Sequence, residues 1–490
     1  MSQLPILIIV LPLLMVPICL FIKEKNYVYL LTLTISSVNL ILVCFLFYEV
    51  HLGKTIFYEL GGWQAPIGIR LQADLLSCYF LLLINFMSFI CILSGKEIIT
   101  KEIHPQNVYL FYIAWLLCNV GFSGIILTND IFNLFVFLEI SSLSSYFLIS
   151  QGMHKGSNIA ALQYLFIGSI GAVFILLGIA VIYAHLGTLN MTDMSEKFLQ
   201  IEIPKSLIFS IGLLITGIAI KSAIFPLHTW LVRTYAYSPS VIVAYFAGTS
   251  TKVGIYILVR VFLDILNAIN PLEQYSLIEF ILFISLVGAL LSTTYAIKQT
   301  DVKKMLAFSS VAQLSYIIIA LMVLTNDSLV ASLIHIFNHS IIKTGLFLVI
   351  AIIFVTNQQV KTTDLSGLGK KYPYMMSAFV ILSFGLIGVP LTSGFISKWY
   401  LVTSILESDF WYLSIIVLIT SFMTLFYVWK LIEKIYFSQA ENIKAEPVLT
   451  HQGIGVFVLT ALTLYLGLDT TLTVGISEDI SYMIMQGINK

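Results

Sequence analysis

Two lysines and a proline raise the question of function. Lys221 and Lys252 lie in apolar runs, KSAIFPLHTWL (Lys221 to Leu231) and AGTSTKVGIYILVR (Ala247 to Arg260), that read as membrane-spanning helices. A lysine at the bilayer centre costs roughly 2.5 to 3.5 kcal/mol, so a chain that keeps two has a use for them. Pro226, between them, removes a backbone donor and frees the carbonyl four residues earlier, which hydrocarbon tolerates only beside protein, side chains or water. The combination returns in FGLIGVPLTSGFISKWYL (Phe384 to Leu401), with Pro390 and Lys398. Pro-interrupted, charged helices in both halves of one chain point to an ion path in a transporter built from repeats.

Other titratable groups extend the pattern. Glu139 sits in NDIFNLFVFLEISSLSSYFLIS (Asn129 to Ser150), where Ser142 and Tyr146 share its helical face, and Lys221 is its candidate partner. In SLIHIFNHSIIKTGLFL (Ser332 to Leu348), His335, His339 and Lys343 follow at intervals of four and form one stripe. Such groups can relay protons through intervening water, and imidazole exchanges protons near neutral pH. No carboxylate or cysteine shares the stripe and HEXXH is absent, which argues against a metal. Lys252 could bridge the two halves, with Lys398 ending the series. His228, seven residues after Lys221, is an accessory candidate on the same face, or a hydrogen-bonded structural residue. Asp301, in KQTDVKKMLAFSSVAQLSY (Lys298 to Tyr316), stands where a helix starts and suits a capping role as well as a chemical one.

The elements that position these groups follow from composition. The 490 residues are 59% hydrophobic and 10% charged, which is the make-up of an all-α polytopic membrane protein. Net charge is zero, so nothing points to nucleic acid. Apolar windows predict about fourteen crossings, at 4–22, 27–50, 73–94, 108–127, 129–151, 157–187, 205–232, 240–262, 274–297, 305–324, 328–356, 373–405, 409–437 and 451–469. The first is read as a retained helix, since no basic region precedes it. With the N-terminus outside, fifteen lysines and arginines, Lys444 among them, fall in inner loops and six, including Lys490, on the outer side. The positive-inside rule therefore places both termini outside. Lys54 to Asp74 reads as an external hairpin around a Gly-Gly break, and Leu189 to Ile203 as a surface helix. The five cysteines lack a CxxC pair and suit core packing. No nucleotide-binding loop, haem ligand or redox motif is present, so the chain does not read as an enzyme in itself and no cofactor is expected.

Six stretches together resemble the antiporter-like family shared by Mrp-type multisubunit Na⁺/H⁺ antiporters, complex I and membrane-bound hydrogenases. They are the Glu139 helix, KSAIFPLHTWL, STKVGIYILVR, TDVKKMLAFSSVAQLSY, HIFNHSIIK and GVPLTSGFISK, in the family's order, and the similarity as a whole runs from about Asp74 to Lys434. The resemblance implies fourteen helices, with 1–107 holding helices 1–3, inverted five-helix repeats at 108–262 and 274–437, discontinuous helices 7 and 12, and helix 14 with a C-terminal tail at 451–490. It also implies a mid-membrane proton path through Glu139 paired with Lys221, then Lys252, the stripe of His335, His339 and Lys343, and Lys398. Lysine rather than glutamate at 398, and a chain that stops soon after helix 14, look like the Mrp D-type or complex I N-type. The implied function is proton translocation in a monovalent cation (Na⁺)/H⁺ antiporter of the bacterial cell membrane, beside other integral membrane subunits. The same path driven by redox chemistry, and a non-conducting assembly scaffold, are the alternatives. One turn departs: after HTWL the family usually continues Pro-Asp-Ala-His, whereas this chain has VRTYAYSPSV (Val232 to Val241), with Arg233 for the acid and Tyr235 for the histidine.

Overall fold

The structure is a computed structural model and describes residues 2–201, 203–264, 271–355, 360–439 and 450–488; Lys444 and Lys490, which entered the charge bias, lie outside these. In chain order the elements are α1 (Leu4–Ile22), α2 (Lys25–His51), β1 (Ile56–Glu59), β2 (Arg70–Ala73), α3 (Leu75–Glu102), α4 (Val108–Leu127), α5 (Ile131–Ser150), α6 (Lys155–Leu186), α7 (Met191–Phe198), α8 (Lys205–Lys221), α9 (Thr229–Tyr237), α10 (Ser240–Gly248) and α11 (Ser250–Asp264). They continue with α12 (Pro271–Lys298), α13 (Val302–Val323), α14 (Asn326–Ile353), α15 (Leu368–Lys371), α16 (Pro373–Ile387), α17 (Ser393–Leu406), α18 (Leu413–Phe437), α19 (Thr450–Leu468) and α20 (Thr471–Ile488). The chain divides into two compact units, one of Met1–Ile92, Ile103–Ser222 and Thr249–Tyr275, the other of Leu93–Glu102, Ala223–Gly248 and Ser276–Lys490.

The architecture is helical, as the composition predicts. Among the described residues eleven helical stretches are long and apolar enough to cross a bilayer, or twelve if α19 and α20, bent by 73°, form one span. The two other expected crossings, 205–232 and 373–405, are not continuous: each is a pair of shorter helices, α8 with α9 and α16 with α17. Pro226 lies in the first gap and Pro390 in the second, where neither can supply a helical N–H. The break at Pro226 corrects one expectation. Residues 222–228 are not helical, so the seven-residue spacing does not put His228 on the face of Lys221. Beyond the last expected crossing the chain forms the helix α20, whose Val474 packs on Val330 and Ile334 of α14 and whose Ser481 hydroxyl donates to the Asn326 carbonyl at 2.9 Å.

In the first unit, α4 packs on α5, α5 on α6 and α6 on α8. Small residues let these backbones approach: a Cβ on Gly217 of α8 would stand 2.5 Å from the Gly171 carbonyl oxygen of α6, and one on Gly121 of α4 would stand 2.7 Å from Ser141 of α5. Asp130 caps α5 by accepting from the Asn133 N–H at 2.7 Å. The predicted hairpin is present, β1 pairing antiparallel with β2 from Ile56 opposite Ala73 to Glu59 opposite Arg70, and α7 occupies the predicted surface-helix segment. Cysteines 19, 78, 91 and 118 are buried, whereas Cys44 is exposed and packs in no core.

At the start of α3, Asp74 takes a forked bond from Arg260 of α11, at 2.5 and 2.6 Å. Burial pushes the Asp74 carboxyl up, but the Arg260 guanidinium and the Ser77 N–H and hydroxyl outweigh it and hold the group below the ordinary carboxylate range. The folded value being the lower one, this contribution to stability is complete above about pH 4 and is lost as pH falls through the folded value. Thermal melting of the solubilised protein is expected to show an acid-dependent fall in Tm that Asp74→Asn flattens.

Candidate functional site in the buried lysine clusters

In the first unit, Lys221 is the last residue of α8 and 6% exposed. Its ammonium donates to Ser142 Oγ at 2.7 Å and to the Tyr146 hydroxyl at 3.4 Å. These are the two groups predicted on the face of Glu139, yet the carboxylate closes no ion pair with Lys221, and its Oε1 is buried without a hydrogen-bond partner among the described residues. Carboxylate and ammonium are therefore not in direct contact, although both stand on the Ser142 and Tyr146 face. Ser142 in turn donates to the Leu138 carbonyl at 2.7 Å. A cavity large enough for water opens beside the ammonium, lined by Ser141, Ser142, Ser145, Tyr164, Ser250 and Gly254 among others. Lys252, fully buried in the first turn of α11, belongs to the same unit.

Sequence spacing did not reveal Gly168. It lies on α6, where a Cβ would stand 2.2 Å from the Tyr146 hydroxyl and 3.4 Å from Lys221 Nζ. The Tyr146 ring is already fixed edge-on against Tyr164, centroids 4.8 Å apart, so the phenol cannot swing freely. Gly168→Ala is expected to separate Tyr146 from Lys221 and slow proton movement about tenfold, the equivalent of one weakened bond to a charged group. Gly212→Ala, where a Cβ meets nothing within 4 Å, is expected to leave it unchanged. Proton flux in vesicles checks both.

In the second unit, α14 carries the stripe in one stack: the rings of His335 and His339 are parallel within 4°, centroids 6.2 Å apart. His335 Nε2 meets Gln313 Oε1 and its Nδ1 meets Ser397 Oγ, both at 2.9 Å. Gln313 Oε1 accepts, so Nε2 carries a hydrogen. Ser397 Oγ also lies 3.1 Å from the Gly394 carbonyl. When Nδ1 is bare the serine donates to it; when Nδ1 is protonated the serine accepts and donates to Gly394 instead. His335 can thus change protonation without stranding a polar group. Lys343 donates to the Leu306 carbonyl at 2.8 Å and to Ser309 Oγ.

Lys398 follows Ser397 on α17, and its three donors go to the Leu386 carbonyl at 3.0 Å, the Ile387 carbonyl at 2.7 Å and Ser421 Oγ at 2.8 Å. The first two end α16, so the lysine closes the broken helix and sits at the negative end of its dipole. The Tyr316 ring lies 5.7 Å from the Lys398 ammonium and 6.1 Å from the His335 ring, which makes it a neighbour of both. The two accessory candidates differ from these. His228 stacks on Phe225 at 5.2 Å, its Nδ1 without a hydrogen-bond partner among the described residues, and Asp301 caps α13 by accepting from the Lys304 N–H at 2.9 Å.

Comparison with known proteins extends the pattern. The chain is 35% identical to the N-type subunit of the NADH-quinone oxidoreductase of Desulforudis audaxviator, over 78% of its own length and 76% of that protein's. It is 31% identical to the D-type subunit of the Na(+)/H(+) antiporter of Alkalihalophilus pseudofirmus, over 88% and 87%. A chain of the membrane-bound sulfane sulfur reductase, an archaeal respiratory membrane complex, matches in structure with a TM-score of 0.91 at 27% identity, covering 99% of both chains. Residues 128–424, which hold every buried lysine described above, match the family described as NADH:quinone oxidoreductase/Mrp antiporter, and the chain belongs to it.

Proposed function

We propose that this chain is a proton-translocating subunit of a multisubunit monovalent cation (Na⁺)/H⁺ antiporter, of the D-type. In this reading the proton path runs through Glu139, Lys221, Lys252, His335, His339, Lys343 and Lys398, and Pro226 and Pro390 supply the helix breaks. The observation that carries it is the Lys221 ammonium, buried at the end of a broken helix on hydroxyls that share the Glu139 face. The magnitudes agree: moving one charge through the membrane potential is worth about 2.3 kcal/mol per 100 mV, and a hydrogen bond to a charged group about 1.5 to 3 kcal/mol. Exchanging one lysine–serine bond is therefore on the scale of the driving force. The D-type relative, matched over 88% of the chain, supports the assignment. We place the protein in a bacterial cell membrane with both termini outside, beside other integral membrane subunits, with inverted repeats at 108–262 and 274–437.

A second reading keeps the path and changes its drive, to redox chemistry in a neighbouring subunit. The 35% identity to a subunit of an NADH-quinone oxidoreductase favours it. Dissipation of ΔpH in vesicles holding the native assembly separates the two, with Na⁺, K⁺ or Li⁺ added in turn. A response to one cation upholds the antiporter and names its ion. Silence with every cation, with proton uptake on adding a reduced electron donor, replaces it with the redox-driven pump; no proton movement under either condition leaves an assembly scaffold.

A further inference from the structure

A carboxylate–hydroxyl–lysine group made of residues outside the proposed path lies in the second unit. Glu102, the last residue of α3, accepts from Ser240 twice, from its N–H at 2.5 Å and its hydroxyl at 2.6 Å. Lys303, on the first turn of α13 and 4% exposed, donates to the same Ser240 hydroxyl at 2.9 Å. One serine thus receives a proton donor on one side and donates to a carboxylate on the other. The charges facing this group are Asp301, which acts on Lys303 across the helix start, and Lys101 and Lys304 beside the two ends, the latter over the Tyr237 ring at 5.4 Å.

Two observations connect the group inward. Lys343 donates to Leu306 and Ser309, which follow Lys303 on the same helix by three and six residues, or about 4.5 and 9 Å of rise. On α9 and just beyond it, Thr234 Oγ1, the Tyr235 hydroxyl and Ser238 Oγ are buried without a hydrogen-bond partner among the described residues. Tyr235 packs edge-on against Phe347, one turn after Lys343, at 5.5 Å. Buried hydroxyls in this condition are where ordered water binds. These hydroxyls belong to VRTYAYSPSV, the stretch that departs from the family pattern.

We propose that Glu102, Ser240 and Lys303 form a further proton-exchange site, which loads Lys343 by way of the α9 hydroxyls. In one exchange the Ser240 hydroxyl proton passes to the Glu102 carboxylate as Lys303 gives a proton to Ser240 Oγ. One proton crosses the group, the carboxylate and ammonium both become neutral, and no covalent product forms. Glu102 then releases its proton to water held on the α9 hydroxyls and so to a neutral Lys343, and Lys303 takes a proton back from bulk water, which resets the group. The inference rests on the proton path proposed above.

The test uses the native assembly in vesicles, with proton flux read per assembled complex. Ser240→Ala is expected to lower flux about 100-fold, the low end of the range for loss of a proton-transfer group, and to raise the H₂O/D₂O rate ratio. Ser240→Thr, which keeps the hydroxyl, restores both. A serine that only ties helices together would change the amount of complex and leave the isotope ratio alone, and that result overturns the site. Lys221→Met in the same vesicles tells the two proposals apart. If it stops flux and Ser240→Ala does not, the path stands and this site falls; if Lys221→Met leaves flux intact, the path falls first. Should Ser240→Ala fail to assemble, infrared pH titration of the wild-type assembly decides: a titrating carboxyl band that shifts in Glu102→Asp upholds the site, and its absence overturns it.

Discussion

Lys221→Met is expected to reduce proton flux at least about 100-fold while leaving about as much assembled complex as wild type. The two halves of this prediction have separate physical causes. Lys221 supplies the charge that Ser142 and Tyr146 bind, and a thioether can neither carry nor give a proton. Stability moves little. An ammonium at membrane depth costs roughly 2.5 to 3.5 kcal/mol, whereas its place at the C-terminal end of α8 returns about 0.3 to 1 kcal/mol and its bond to Ser142 about 1.5 to 3 kcal/mol. Removing it with an isosteric apolar chain gives back about as much burial cost as it loses in dipole interaction and hydrogen bonding. A variant that still transports within twofold of wild type would sink the path. One that fails to assemble would show the lysine to be a structural post, with flux and complex measured on the same vesicles.

A shared feature links the buried lysines whose bonds are defined. Lys221 meets Ser142, Lys303 meets Ser240, Lys343 meets Ser309 and Lys398 meets Ser421. A hydroxyl both accepts and donates, so it can keep an ammonium satisfied and still hand a proton on, which a carbonyl cannot. Serines on apolar helices were visible in the sequence, but which lysine each one meets was not, because hydropathy and spacing report a helix's own faces and not its neighbour's. That is why the stripe of His335, His339 and Lys343 and the face of Glu139, Ser142 and Tyr146 were legible, as were the breaks at Pro226 and Pro390. Ser397 under His335, Gly168 behind Tyr146 and the Glu102–Lys303 group join residues 62 or more positions apart or on separate helices, and left no local signal. The shared face drawn from Lys221 to His228 failed for a related reason: spacing arguments end where a helix ends, and the proline that marked the break also cancelled the register beyond it.

The other large effect is expected at a position with no charge. At Gly394 a Cβ would stand 1.8 Å from the Gly385 carbonyl oxygen and 3.3 Å from its Cα, so the start of α17 crosses the end of α16 backbone to backbone. Neither contact is with a flexible side chain that could yield, and the half-helices must part. Four residues on, one turn along α17, Lys398 closes the last carbonyls of α16, so parting the backbones also withdraws the lysine from Leu386 and Ile387. Those carbonyls are then left without donors in surroundings where each unmet group costs about 1 to 3 kcal/mol, on top of overpacking of about the same size. Gly394→Ala is therefore expected to lower the midpoint of thermal unfolding by several degrees, or to prevent assembly, and to abolish flux in whatever complex remains. Lys398→Met keeps Gly394 and removes only the ammonium, so it separates the two roles: flux lost with melting little changed makes Lys398 part of the proton path, and melting lowered as far as in Gly394→Ala makes it the clasp of a broken helix. Gly475→Ala, in open space on α20, fixes the baseline for a harmless methyl group.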